Sequence, residues 1–338
     1  MPDISAALAL LKKPLEALGG LATGEAKNLI ARLNADANVK RLYQKLSATQ
    51  KVKTIWNVDR AISLSSFYYP AKIKTSTGQT QTLHSLDELP ANTVVISGTV
   101  GQGKSILLRH LLGKEIRSGS RVPLLIELRR VPTTGLQKYI QAQFNELLET
   151  TGTPDLFDLF ATNGRLSILL DGFDEVDPDR VQEITTNIES LAAKYPSCRI
   201  IITARPSSGI ENSPFFDVVH LAQLEHYDLQ GFFNKILPRD KPLALRVLNA
   251  VLESQAHVLA LTSTPLLATL LTIVYRANQK IPADFSEFYD ELFQILLIRH
   301  DRSKAGYERK RKTGLSDREI QQVFEAFCYK TRSEEHLA

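Results

Sequence analysis

Eight consecutive residues have the spacing of a phosphate-binding loop. They fit the pattern GxxxxGK[ST] and are Gly98, Thr99, Val100, Gly101, Gln102, Gly103, Lys104 and Ser105. Glycines let the backbone curl so that its N–H groups point inward to a polyphosphate, and the following helix N-terminus adds partial positive charge. We expect the Lys104 ammonium to reach the β- and γ-phosphates and the Ser105 hydroxyl to bind Mg²⁺. A chance glycine-rich turn is disfavoured, because an apolar strand precedes the motif and an apolar helix follows it.

A second chemical element closes the apolar run that begins at Leu166. Asp171 ends this run, where a carboxylate can hold Mg²⁺. Asp174 and Glu175 follow at the mouth of the predicted sheet, and either can orient or deprotonate an attacking water. The alternative for these two acids is that they only cap the helix predicted to start near Asp179. The sequence does not decide which of the two is the catalytic acid.

A third element is the run from Ile200 to Pro206, which delivers Thr203 and Arg205 to the same edge of the sheet. Ligands of open parallel sheets bind beyond the carboxyl ends of the strands. Arg205 is therefore a candidate sensor of the γ-phosphate. An arginine that only caps the sheet is the alternative.

The elements that must position these residues are short β-branched runs alternating with helical stretches. The runs are Thr93 to Ser97, Pro123 to Leu128, Leu166 to Asp171, Arg199 to Ala204 and Asp217 to Leu221. The helical stretches are Ser105 to Ile116, Leu136 to Leu148 and Asp179 to Lys194. Continuous apolar strands alternating with helices predict an α/β fold, with a parallel sheet and helices on both faces.

The flanking sequence predicts helices on both sides of this sheet. Between Glu25 and Thr49 the apolar residues fall mostly three or four apart, and after residue 222 long apolar helical runs replace the strands. A polar turn at residues 75–79 indicates a hairpin. The predicted segments are an N-terminal helical region (1–55), a connecting segment (56–92), a nucleotide-binding domain (93–222), a helical domain (223–312) and the start of a further domain (313–338).

Composition indicates an ordinary globular chain. It has 338 residues, 43% of them hydrophobic, a net charge of +4 and two cysteines. Cys198 and Cys328 lie far apart without a CxxC partner, so neither a zinc site nor a disulfide framework is indicated. No apolar run reaches the roughly 18 residues of a membrane span, and no signal peptide is recognised. We expect a cytoplasmic protein without a membrane partner.

Together, the three chemical elements resemble the NACHT family within the STAND class of regulated P-loop ATPases. Asp171-Gly172-Phe173-Asp174-Glu175 is similar to the family's extended second motif, and Thr203-Ala204-Arg205-Pro206 is similar to its Thr-Ser-Arg-Pro sensor. The run from Ser263 to Leu267 resembles the helical-domain motif whose proline packs on the adenine, which implies that role for Pro265. Thr264 stands where the family usually has Asn or Gly. The resemblance covers about residues 85–300.

The resemblance implies a molecular switch that uses ATP, ADP and Mg²⁺. ADP holds a closed monomer, and exchange for ATP after ligand sensing opens it into a homo-oligomer that drives an attached effector. The further domain at 313–338 would be the start of a truncated winged-helix-like domain. The short N-terminal region resembles that of bacterial antiphage NACHT proteins. This implies a slow ATPase in antiviral innate defence, with an unidentified trigger for which a phage component is one candidate.

A different class of function stays open. An AAA+-like protein would use the basic run from Arg299 to Lys312 and the aromatic residues between Trp56 and Tyr69 to handle nucleic acid with ATP. The basic run is more simply a solvated loop, and the 171–175 and 203–206 runs match the NACHT pattern more closely. We therefore expect that nucleic acid is not the main partner.

The first prediction tests the phosphate loop. Replacing Lys104 with Ala should remove measurable ATP and ADP binding, because hydrogen bonds to charged groups contribute about 1.5–3 kcal/mol each. Isothermal titration of the wild type and the variant is the measurement. Unchanged affinity in the variant would contradict the assignment of the loop.

Overall fold

Three amphipathic helices begin the part of the chain that this computed structural model describes, which is residues 4–20, 22, 24–55, 57–75, 78–150, 154–302, 318–319, 322–323, 325–326 and 330. The helices are α1 (Ile4–Gly19), α2 (Gly24–Leu33) and α3 (Asp36–Ala48). Helix α3 buries Val39, Leu42 and Leu46, which are three and four residues apart, so one face points into the core.

The helical prediction for residues 1–55 is wrong at its end. Strand β1 (Lys51–Thr54) pairs antiparallel with β2 (Asn57–Ser63). The reason is visible in the alternation of exposed and partly buried side chains along Lys51–Thr54. A period of two residues is typical of a strand, and the chain has too few residues there to complete another helical turn.

The hairpin predicted at residues 75–79 is present and extends the main sheet. Strands β3 (Lys72–Lys74) and β4 (Thr80–Thr82) pair antiparallel. Strand β3 also pairs antiparallel with the strand at Asp217–Leu221, which is the last strand in the sequence. The backbone N–H of Thr75 donates to the carbonyl of Gln79 at 3.0 Å, which closes the turn. The segment predicted to connect two domains therefore contributes two strands to the seven-stranded sheet.

The remaining strands and helices follow the predicted alternation. They are β5 (Thr93–Ser97), α4 (Lys104–Ser118), β6 (Val122–Glu127), α5 (Leu136–Leu148), α6 (Pro154–Thr162), β7 (Leu166–Asp171), α7 (Val181–Lys194), β8 (Arg199–Ala204) and β9 (Asp217–Leu221). The sheet order is β4-β3-β9-β5-β8-β7-β6. Strands β9, β5, β8, β7 and β6 are parallel to their neighbours in this group. The predicted α/β fold is confirmed, and the hairpin makes the sheet mixed.

The parallel strands are buried on both faces, as their unbroken apolar sequences predict. Every residue of β8 and the first five residues of β7 are buried. Helix α6, which the sequence did not predict, closes part of this core: the rings of Phe157 and Phe160 meet Phe144 edge to face, with centroids 5.5 and 5.3 Å apart. Edge-to-face contacts of this kind are favourable beyond the area that they bury.

The chain divides into two compact units, Met1–Lys241 with Thr264–Leu266, and Pro242–Ser263 with Leu267–Ala338. The first unit also holds α8 (His226–Ile236), and the helices that follow are α9 (Lys241–Leu252), α10 (Ala256–Leu259), α11 (Pro265–Asn278) and α12 (Phe285–Arg302). The core of the second unit is aliphatic and aromatic: Val247, Val251, Leu261, Leu271, Val274 and Phe288. None of the helices described combines the length and apolarity needed to cross a membrane.

Some predicted features lie outside the described residues. Trp56 is one, and the basic run is described only from Arg299 to Arg302, within α12. The predicted winged-helix start at 313–338 is described only at the few positions between 318 and 330 given above.

A buried ion pair fastens the hairpin segment to α8. The Asp228 carboxylate, whose side chain is 2% exposed, accepts a hydrogen bond from Lys72 Nζ at 2.5 Å and one from the Tyr69 hydroxyl at 2.8 Å. Its other oxygen accepts the backbone N–H of Glu225 at 3.0 Å, which completes a capping box at the helix start. Both oxygens of the buried carboxylate are thus satisfied.

The second prediction concerns this pair. Asp228→Ala should lower the free energy of unfolding by about 3–5 kcal/mol, because removing one partner leaves the Lys72 ammonium uncompensated in a desolvated site. Urea unfolding is the measurement. The matched control is Asp217→Ala on β9, an exposed position, where we expect a change within about 0.5 kcal/mol. Equal effects of the two substitutions would show that the buried pair does not contribute more to the free energy of unfolding than an exposed side chain does.

Candidate nucleotide-binding site

Two glycines give the phosphate loop its curl between β5 and α4. Gly101 and Gly103 have φ angles of +81° and +86°, in the left-handed region that side chains other than glycine rarely adopt. A Cβ at Gly101 would lie 2.9 Å from the Cβ of Leu266, whereas one at Gly103 would meet no atom within 4 Å. The loop is therefore closed on one side and open on the other, and Val100 is exposed. This is the form of a backbone cradle for phosphate.

Hydrogen bonds hold the loop between the two neighbouring strands. The Gln102 side chain accepts the Thr99 N–H at 2.5 Å and donates to the carbonyl of Leu221 at the end of β9 at 3.2 Å. On the other side, the Gly98 N–H donates to the carbonyl of Ala204 at the end of β8 at 3.1 Å. The loop is thus preorganised by the sheet itself.

The Lys104 ammonium lies over the loop rather than extending away from it. Its Nζ donates to the carbonyls of Gly98 at 2.5 Å and Thr99 at 3.2 Å. Burial lowers the pKa of Lys104, and Asp174 is the strongest of the carboxylates that oppose this shift. The ammonium and the Asp174 carboxylate therefore belong to the same electrostatic site.

Ser105 and Asp171, the two predicted metal ligands, are brought together. The Ser105 hydroxyl donates to Asp171 Oδ1 at 3.0 Å, and the buried Thr203 hydroxyl donates to the same oxygen at 2.7 Å. Thr203 Oγ1 also accepts the Gly172 N–H at 2.9 Å. A single hydroxyl on β8 therefore fixes both the carboxylate and the start of the turn that follows β7.

These oxygens fit a Mg²⁺ ion. Magnesium prefers oxygen ligands and in nucleotide sites is held by one or two protein groups together with phosphates and water. Ser105 and Asp171 supply a hydroxyl and a carboxylate on one edge. Nearby, Asp174 Oδ1 is buried with no hydrogen-bond partner among the residues described, so it can accept from a ligand or a water. No group of three or more His, Cys, Asp or Glu that could hold a metal occurs in the described part of the chain.

The two acids after Asp171 point to different partners. Asp174 Oδ2 lies 2.6 Å from Arg205 Nε, and its side chain is only 14% exposed. Glu175 Oε2 lies 3.0 Å from Arg129 Nη1, and its side chain is 48% exposed. Each acid is thus paired with an arginine from a neighbouring strand end, and the Asp174 pair is the one shielded from solvent. Arg205 contacts an acid of the site, in line with its predicted place at this edge.

Pro265 begins α11 beside the phosphate loop. The next residue, Leu266, donates its backbone N–H to the carbonyl of Gly101 at 3.1 Å, and Thr264 Oγ1 lies 3.2 Å from where a Gly101 Cβ would be. Thr264–Leu266 group with the first unit of the chain. Contact of Pro265 with adenine stays a prediction.

The sequence reasoning missed several residues of this edge. It placed Thr203 at the edge without assigning it a role, and it did not consider Glu127 or Arg129. Glu127 ends β6 in register with Asp171, and Arg129 follows two residues later. The signal was available, because polar residues directly after a buried parallel strand lie at the ligand edge wherever they occur.

Comparison with known proteins gives a family match for part of the chain. The family model of the NACHT domain matches residues 92–240. No curated protein matches the chain.

Several solved structures are similar over part of their length. One is a Walker-type ATPase of Pyrococcus abyssi, at 15% identity and a TM-score of 0.40, covering 63% of this chain and 70% of that one. RuvB of Thermotoga maritima has 15% identity and a TM-score of 0.34, covering 65% and 66%. Domain III of the replication initiation protein DnaA of Thermotoga maritima has 12% identity and a TM-score of 0.35, covering 63% and 87%. Likenesses this weak add nothing to what the sheet order and the loop show.

The third prediction concerns Thr203. Thr203→Val should weaken Mg²⁺-dependent ADP binding about tenfold, because it removes the hydrogen bond to Asp171 and leaves the buried Gly172 N–H unpaired, at about 1–3 kcal/mol. Titration with ADP in Mg²⁺ and in EDTA is the measurement, and the difference between the two should shrink. Thr203→Ser keeps the hydroxyl and is the control. The same Mg²⁺ dependence in Val and Ser variants would refute the role.

Proposed function

We propose that this chain, whose residues 92–240 match the family model of the NACHT domain, is a STAND-class signalling ATPase, a switch between ADP-bound and ATP-bound states. The observation that carries the proposal is the convergence of five predicted residues on one sheet edge. Ser105 touches Asp171, and Asp174, paired with Arg205, is the strongest carboxylate acting on Lys104. A cation, a metal-binding pair and a shielded acid beside one phosphate loop are the parts that phosphoryl transfer to water requires.

Each residue has a defined task in the proposed hydrolysis. The loop N–H groups and the Lys104 ammonium bind the β- and γ-phosphates. Ser105 and Asp171 hold Mg²⁺, which when bound supplies positive charge to the phosphate oxygens. Asp174 orients the attacking water through its unpaired Oδ1 and accepts its proton. Glu175 is the less favoured candidate for this step, since its side chain is 48% exposed and its carboxylate is open to solvent.

The ion pair between Arg205 and Asp174 supplies the two-state element of the proposed switch. Arg205 is more than half exposed, so its guanidinium can exchange a carboxylate partner for a phosphate. A γ-phosphate that attracts Arg205 would free Asp174 for the water. ATP and ADP then favour different states of the same pair, which is the condition for a ligand to shift an equilibrium.

The finer parts of the proposal rest on the resemblance of the motifs. They are adenine packing on Pro265, homo-oligomer formation in the ATP state, slow turnover, a cytoplasmic location and an antiphage role with an unidentified trigger.

The fourth prediction separates the two acids. Asp174→Asn should lower single-turnover ATP hydrolysis by about 10²–10⁴-fold, the usual contribution of a positioned base, while ATP affinity stays within about threefold. Glu175→Gln should cost less than about tenfold by the same measure. Hydrolysis is followed by product release from radiolabelled ATP, and affinity by titration. Asp171→Asn is the comparison variant, and it should weaken Mg²⁺-dependent binding as well as turnover.

The outcomes of these measurements distinguish between the roles of Asp174 and Glu175. A larger loss with Glu175→Gln would reverse the two roles. No loss with either variant would leave a nucleotide-binding module without catalysis. If the switch is present, Asp174→Asn with ATP should form larger species than the wild type in light scattering after gel filtration. An unchanged mass would contradict assembly by the chain alone.

A further inference from the structure

Arg109 connects the N-terminal helices to the nucleotide edge. It lies on α4 one helical turn after Ser105, so both side chains are on the same face of the helix. One end of its guanidinium, Nη1, donates to the carbonyl of Thr49, directly after α3, at 3.2 Å. The other, Nη2, lies 3.4 Å from Glu127 Oε1 at the end of β6. One side chain thus spans from the helical region to the strand beside Asp171.

A second contact fixes the same junction. The Gln50 side chain donates from Nε2 to the backbone carbonyl of Arg109 at 2.5 Å. It occupies the space beside Gly113, where an added Cβ would lie 2.8 Å from Gln50 Cδ and closer still to its Oε1. Glycine inside a helix costs about 1 kcal/mol relative to alanine. At position 113 it leaves the room that the Gln50 side chain occupies. We call this space, bounded by Gly113 and filled by Gln50, the Gly113 slot.

Glu127 passes the connection on to the acidic turn. Its carboxylate is 20% exposed and contacts Arg129 Nη2 at 3.2 Å and Arg130 Nε at 2.8 Å, in addition to Arg109. Arg129 in turn holds Glu175, whose carboxyl group packs over Gly172. The charges alternate in sign from α4 to the turn: Arg109, Glu127, Arg129 and Glu175.

We propose that Arg109 is a positioning residue for nucleotide hydrolysis, through which the N-terminal helices act on the acidic turn at residues 171–175. The inference rests on the proposed ATPase function. Docking of Gln50 in the Gly113 slot sets the place of Arg109, Arg109 sets Glu127, and Glu127 with Arg129 clamps the turn that carries Asp171 and Asp174. Displacement of the helices loosens the clamp, and the acids lose their alignment.

The expected effect is on geometry more than on stability. Half-exposed ion pairs such as Arg129–Glu175 contribute little to folding and are screened by salt. Small misplacements of reacting groups nevertheless reduce rates strongly. The rate of turnover should therefore depend on the chain of charges. Nucleotide affinity should not depend on it, because Lys104, Ser105 and the loop N–H groups supply that affinity.

The experiment compares two variants with two matched controls. Arg109→Gln breaks both guanidinium contacts, and Gly113→Ala displaces the Gln50 side chain from the slot without removing a charge. Arg180→Gln is the control for the first, because Arg180 also bridges a carboxylate, that of Glu183, and the backbone carbonyl of Val131. Gly209→Ala is the control for the second, because no atom lies within 4 Å of the added Cβ. Single-turnover hydrolysis, ATP affinity and melting temperature are measured for all four.

We expect Arg109→Gln and Gly113→Ala to lower turnover about tenfold with affinity within about twofold, and the controls to match the wild type. Arg109→Lys, which keeps the charge, should recover part of the rate. Raising the salt concentration should slow the wild type but not Arg109→Gln, since screening removes what the variant already lacks. The proposal is overturned if Gly113→Ala raises the melting temperature, as alanine ordinarily does in a helix, and leaves turnover unchanged. It also fails if rate, affinity and melting temperature of Arg109→Gln fall together.

A readout independent of hydrolysis separates this inference from the proposed function. The amides of Glu175 and Val176 donate to the carbonyls of Gly172 and Phe173, so their hydrogen exchange reports the order of the turn. Exchange at these amides should rise several-fold in Gly113→Ala and not in Gly209→Ala. If the wild type has no ATPase activity but exchange still rises in Gly113→Ala, the proposed ATPase function is refuted and the coupling of the N-terminal helices to the acidic turn is retained. An active wild type with unchanged exchange would refute the coupling alone.

Discussion

The carboxylate of Asp171 joins three segments that are far apart in the sequence, and the site depends on that junction. One oxygen accepts hydrogen bonds from Ser105 on the phosphate-loop helix and from Thr203 on the next strand. The carboxylate cannot move far, because it ends a strand whose other residues are buried. Loop, metal ligands and acidic turn therefore share one reference point, set by the rigid centre of the sheet rather than by flexible loops.

A second constraint is the balance of charge along this edge. The arginines Arg109, Arg129 and Arg205 each contact a carboxylate, and Lys104 contacts carbonyl oxygens of its own loop. A polyphosphate entering the site therefore competes with Asp174 for Arg205 and with the loop carbonyls for Lys104. Such competition favours ligands with several negative charges. A ligand with one negative charge gains little binding free energy, because it only replaces a carboxylate of the same charge.

Features of this structure that depend on local sequence could be predicted, and features that join distant segments of the chain could not. Strands β5, β7, β8 and β9 have the predicted bounds, because buried parallel strands are unbroken apolar runs bordered by polar residues. The phosphate loop is a local motif and was equally accessible. The pairing of β3 with β9 and of Arg129 with Glu175 was not predictable from local pattern, since each joins segments whose proximity only the folded sheet defines. For the same reason the different arginine partners of Asp174 and Glu175 could not be predicted.

The hairpin has a consequence for how the sheet meets its surroundings. Without β3 and β4, strand β9 would present a row of free N–H and C=O groups on which another polypeptide could nucleate intermolecular β-structure. The outermost strand, Thr80–Thr82, is instead three residues long, entirely polar and largely exposed. A strand this short and hydrophilic is a poor site for cross-β aggregation. At this edge, the outermost strand therefore gives another copy of the chain little backbone on which to extend the sheet.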